Sequence, residues 1–71
     1  MQYLVVIERG DCSVGAYVPD LPGCIATAES EEEVRRLIKE AIEFHLEGLR
    51  ESGDPVPLPS STGTIVEVGA A

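Results

Sequence analysis

At 71 residues the chain has room for one domain and little room for a core. A chain this short buries only about 60% of its unfolded surface, so self-association or a protein partner is expected before any motif is read. Its formal charge of −8, from 5 Lys+Arg against 13 Asp+Glu, and its 4% aromatic content argue against direct nucleic-acid binding. There is no basic track to release counterions and little for bases to stack on. An acidic surface favours solubility and steers a basic protein partner.

Met1 runs into Tyr3-Leu4-Val5-Val6-Ile7 without a basic leader or a cleavage site. No stretch approaches the ~18 apolar residues of a membrane span. A cytoplasmic protein with no membrane partner is expected.

Gln2–Glu8 reads as the first strand, rich in aromatic and β-branched residues. Tyr3, Val5 and Ile7 point one way and Leu4 and Val6 the other, a two-sided apolar pattern that predicts a central strand covered on both faces. Arg9–Ser13 is a glycine-containing polar turn, and its Arg-Gly-Asp tripeptide is read as coincidence. Val14–Val18 is the second strand, joined to the first as a hairpin.

Tyr17-Val18-Pro19-Asp20-Leu21-Pro22-Gly23-Cys24 is the stretch on which the rest is organised. Each proline fixes its own φ and pushes the preceding residue into an extended conformation. Proline second and glycine third in Leu21–Cys24 meet the demand of a type II turn. Asp20 is expected to accept a backbone N–H from the turn that follows it. Cys24–Ala28 is then a third strand, completing an antiparallel meander, and its small residues leave room for a closely packed helix.

The spacing predicts that helix over Ser30 to about Arg50. Ser30 and Glu33 make a Ser-x-x-Glu capping box, and Glu31 and Glu32 sit at the positive end of the helix dipole. Val34, Leu37, Ile38, Ala41, Ile42, His45 and Leu49 form one apolar stripe. Glu31–Arg35 and Glu32–Arg36 stand at the supportive i,i+4 spacing. Ser52-Gly53-Asp54-Pro55 stops the helix. Val56–Pro59 alternates proline and runs extended, and Thr64–Val68 is predicted as a short fourth strand. One helix covers one face of such a sheet, and another copy of the chain is the simplest cover for the other.

As chemistry the chain is quiet. His45 is the single histidine, on the apolar stripe, with no zinc-ligand spacing and no nucleophile near it in sequence. It is read as a packed or interface histidine. Glu29, Glu31, Glu32 and Glu33 suit a helix start for electrostatic reasons alone. Cys12 and Cys24 fall at opposite ends of a strand, beyond disulfide reach, so both are expected as free thiols. The glycines form no phosphate-cradling pattern. No catalytic, cofactor or metal residue is assigned, and no enzyme is expected.

The Tyr-Val-Pro-Asp-Leu-Pro-Gly-Cys run, the small-residue strand, the acidic helix start Ser30–Glu33 and Val56-Pro57-Leu58-Pro59-Ser60 together resemble HicB-type antitoxins. The resemblance covers nearly the whole chain, as a single domain over residues 1–71. It implies a two-layer α+β fold of order β-β-β-α-β, likened to a truncated RNase H. It also implies binding to, and neutralisation of, a small RNA-cleaving HicA-type toxin. Contact is expected at the turn (Pro19, Asp20, Leu21, Pro22, Gly23 and Cys24) and on the acidic helix. The DNA-binding segment that longer family members append does not follow Val68 here, so operator binding is not carried over. The alternative is a homo-oligomeric α+β domain with a toxin-independent regulatory or ligand-binding role.

Overall fold

The computed structural model describes residues 1–69. Three strands, β1 (Val6–Arg9), β2 (Val14–Tyr17) and β3 (Ile25–Ala28), form an antiparallel sheet in the order β1-β2-β3, and one helix, α1 (Glu31–Ser52), packs on it. The α+β, two-layer arrangement expected from the sequence is present. Directly paired residues share a face, so the register puts Ile7, Ala16 and Ala26 in one row toward the helix and Val6, Tyr17 and Ile25 in a row on the outer face.

The core lies between the inner face and α1. Val14, Ala16, Val18, Leu21 and Cys24 from the hairpin meet Val34, Ile38 and Leu46 from the helix. Val18, Leu21 and Val34 are fully enclosed, each contributing about 1.5–3 kcal/mol of burial. Ala16 of β2 and the alanines of β3 keep the inner sheet surface low, and the helix settles over β3 and β2.

That placement corrects the expectation for the first strand. It is an edge strand and begins only at Val6. The Val18 N–H turns toward β3, to the Cys24 carbonyl 3.2 Å away. The next ladder bonds of β1 beyond Val6 and Tyr17 would then fall at Leu4 and Pro19, and Pro19 has no N–H to give. Residues 3–5 are therefore left without a ladder, and Tyr3, Val5 and Ile7 are only half covered.

The helix ends are built as the sequence implies, with two changes of partner. Ser30 is the N-cap (φ −138°, ψ 159°), and its Oγ accepts the Glu33 N–H at 3.1 Å. Glu33 closes the box one residue early, accepting the Glu29 N–H at 3.3 Å instead of that of Ser30. Glu31 pairs with Arg35 at 3.4 Å and also with Arg9 of β1, whereas Arg36 turns forward to Glu40 at 3.2 Å and not back to Glu32. At the other end Gly53 takes φ 75°, donating to the Arg50 carbonyl while Asp54 donates to that of Leu49. These two bonds make a Schellman motif.

The expected fourth strand is not formed. Thr64–Val68 has no ladder partner, and Ile65, Val66 and Val68 stand 100, 70 and 78% exposed. Strand-forming residues do not make a strand without a neighbour to accept their backbone groups.

Candidate partner-binding surface

The loop from Pro19 to Gly23 is held by its own backbone. Leu21 donates to the Val18 carbonyl at 3.0 Å, and Cys24 donates to the Leu21 carbonyl at 3.0 Å. Gly23 has φ 86°, as the third position of a type II turn requires. Two successive turns drive Leu21 inward, where it is fully buried.

Asp20 does not bond within the loop, contrary to expectation. Its Oδ2 accepts the backbone N–H groups of Ser60 and Ser61 at 2.8 and 2.9 Å. Its Oδ1 accepts their hydroxyls at 3.1 and 2.8 Å. The Ser61 and Ser60 amides hold its carboxyl at a pKa of about 2, below its ordinary 3.8. This latch returns the proline segment after the helix to the loop, and Tyr3 adds a second tie by donating its hydroxyl to the Pro57 carbonyl.

Of the six loop residues singled out from the sequence, Leu21 and Cys24 belong to the core and Asp20 to the latch. Pro19, Pro22 and Gly23 reach the surface. Cys24 is buried, which pushes its thiol pKa up and keeps it protonated, a poor nucleophile. Cys12 is exposed, and neither cysteine is in a disulfide. His45 is half-buried on the helix. Among the described residues no cluster of three or more His, Cys, Asp or Glu side chains is placed to hold a metal ion.

The outward side of α1 carries a feature the sequence reading passed over. Phe44 is 80% exposed. Glu40, Glu47 and Glu51, at helical steps from it, are exposed around it. An aromatic ring on the wrong side of an amphipathic helix was the available signal.

A family model described as the HicB-like antitoxin of bacterial toxin-antitoxin systems matches residues 3–69. The chain belongs to the HicB-like antitoxin family. Its relatives include an uncharacterised 14.9 kDa protein from the rep-hol intergenic region of Haemophilus phage HP1, 37% identical over 57 residues. That alignment covers 80% of this chain and 43% of the phage protein. A UPF0150 protein of Helicobacter pylori is 49% identical over 41 residues, covering 58% of this chain and 57% of its own. A UPF0150 protein of Thermoplasma acidophilum is 35% identical over 60 residues, covering 80% and 84%. The chain thus spans less than half of the phage relative and little more than half of the Helicobacter one. No solved structure matches. Among the described residues of this HicB-like domain no helix is long and apolar enough to cross a membrane.

Proposed function

We propose that this HicB-like domain binds and neutralises a small RNA-cleaving toxin of the HicA type by protein–protein contact, in the cytoplasm and without catalysis of its own. The observation that carries the reading is the exposed Phe44 set among Glu40, Glu47 and Glu51 in a member of an antitoxin family. A protein that holds RNA must present cations. Against such a surface the carboxylates speed and orient the encounter, and the ring serves as a desolvated anchor. The exposed Pro19, Pro22 and Gly23 form a second, rigid contact, pre-set by the two turns beneath them.

In the same reading the domain is a dimer or higher oligomer. The outer row Val6, Tyr17 and Ile25 supports this, with Ile25 67% exposed on a sheet face that has no helix over it. The further likeness to a partial RNase H fold, with its short fourth strand, belongs to this proposal as well.

The test is co-expression with a small basic HicA-type ribonuclease, reading co-purification and RNA cleavage. Wild type should form the complex and suppress cleavage. Phe44→Ala combined with Glu40→Lys should weaken binding at least about tenfold while leaving the fold intact, because both side chains face solvent. Absence of any complex between the wild-type domain and such a toxin sinks the reading.

A further inference from the structure

β1 lies between two apolar grooves and has nothing on its open edge. On the helix side, a groove of about 490 Å³ is floored by Tyr3, Val5 and Ile7 against Ile38, Ile42 and Leu46. It exists because α1 sits over β3 and β2. Arg35, Lys39 and Glu43 stand on its rim. On the outer side a second groove runs along Leu4–Ile7, and its far wall is Gly63, Thr64 and Ile65. The backbone groups on that edge of β1 have no ladder partner, since β1 pairs with β2 alone. Such an edge is a template for one more strand.

We propose that this edge receives the Thr64–Val68 segment of a second copy of the chain, reciprocally, so that each sheet gains its fourth strand from its partner. The inference rests on the self-association read above and assigns it an interface. The segment's pattern fits the two grooves. Side chains alternate along a strand, so Ile65 and Glu67 point to one face and Thr64, Val66 and Val68 to the other. With Ile65 on the floor of the helix-side groove, Glu67 comes to its charged rim. Arg35 there is engaged by Glu31, while Lys39 makes no ion pair among the described residues. Glu43 on the same rim repels Glu67 and leaves the Lys39 end as the favoured place for it. Val66 and Val68 enter the outer groove beside Leu4 and Val6.

The chain's own segment is poorly placed to do this. A Cβ on Gly63 would lie 3.3 Å from Leu4 Cδ1, so the chain there rests on the outer face of β1 and not along its edge. Dropping from that face to the plane of the sheet takes about 5 Å, half the usual spacing of packed layers. Thr64 alone spans about 3.5 Å. A second copy is free of this limit. Because the segment leaves the domain beside the very edge that would accept one, two copies meeting at these edges exchange both segments at once. The contact is therefore isologous and closes on itself as a two-fold dimer. Main-chain ladder bonds supply affinity and the two grooves supply register.

The test is sedimentation equilibrium of the whole chain around 100 µM, where such a dimer should be populated, with an isotope-filtered NOE experiment on mixed labelled and unlabelled chains. The expected result is twice the chain mass and intermolecular NOEs from Val66 to β1. Val66→Pro, which removes a ladder donor from a segment unpaired in the single chain, should weaken the dimer at least about tenfold. Glu67→Lys should weaken it by about three- to fivefold, and adding Lys39→Glu should restore it. A dimer that forms but ignores these variants overturns this interface and leaves self-association standing. NOEs from Val66 to β1 within one chain only overturn it as well. A monomer under all conditions removes both.

Discussion

The loop Pro19–Gly23 and the segment Thr64–Val68 are each five residues long, and their roles are the reverse of what their compositions suggest. The loop has prolines and a glycine and no regular structure, yet two backbone hydrogen bonds close its turns, its Leu21 is fully buried and its Asp20 takes four hydrogen bonds. The segment is composed of good strand formers and stands in solvent. Order in a small domain comes from burial and from partners for the backbone, with propensity a secondary influence. The difference also separates the molecule into a finished side, formed by the β2–β3 hairpin on α1, and an unfinished side, formed by β1 and the chain around residue 65.

The largest way to break this contrast is Leu21→Ala. It removes the side chain that the two turns drive into the core and should cost about 2–5 kcal/mol in chemical denaturation, enough to unfold much of a marginal domain. Ile65→Ala on the unfinished side should change the stability of the dilute monomer by less than about 0.5 kcal/mol. Equal effects at the two positions would mean that the segment is already buried in the single chain. Gly23→Ala is the next step down. A Cβ there meets no neighbour within 4 Å, so the cost is that of φ 86° alone, about 1–2 kcal/mol by the same measurement.

Much of the finished side can be read in the sequence because its determinants are local. Leu21-Pro22-Gly23-Cys24 names its own turn, Ser30 names the helix start, and Gly53 names its end. The edge position of β1 is not local. Apolar residues on both sides of a strand read as a central strand, and here they mark a strand with one neighbour and a vacant place beside it. The Glu32–Arg36 pair failed for a similar reason, since Arg36 had Glu40 one turn onward as an equal alternative. Asp20 and Ser60 are 40 positions apart, and a serine pair after a proline run carries no sign of which carboxylate it will meet. For the candidate site, the loop was visible as a rigid element, but which of its residues face outward depended on the burial of Leu21 and Cys24 and on the latch.

Gly48 offers a smaller effect of opposite sign that sharpens the contrast within the helix. It is exposed, has ordinary helical φ, and a Cβ there meets nothing within 4 Å. Gly48→Ala should therefore stabilise the domain by about 0.5–1 kcal/mol, measured as a shift in the denaturation midpoint without change of slope. Destabilisation instead would show that another chain or segment packs against this position.

The latch gives the smallest global effect and the most local one. Asp20 has a folded pKa of about 2 against its ordinary 3.8, so its contribution is fully present above 3.8 and is lost as pH falls through 2. At neutral pH, Asp20→Asn keeps two acceptor lone pairs on one oxygen but gives up the charge that both serine amides and both hydroxyls share. Exchange protection of the Ser60 and Ser61 amides should fall in the variant, with the core amides of Val18 and Cys24 unchanged. In wild type the shifts of the two serine amides should titrate together with a midpoint near 2. A midpoint near 3.8 would mean that the carboxylate is free in solution and that the proline segment is not returned to the loop. In that case the wall of the outer groove, which hangs from residues 60 and 61, would lose its support too.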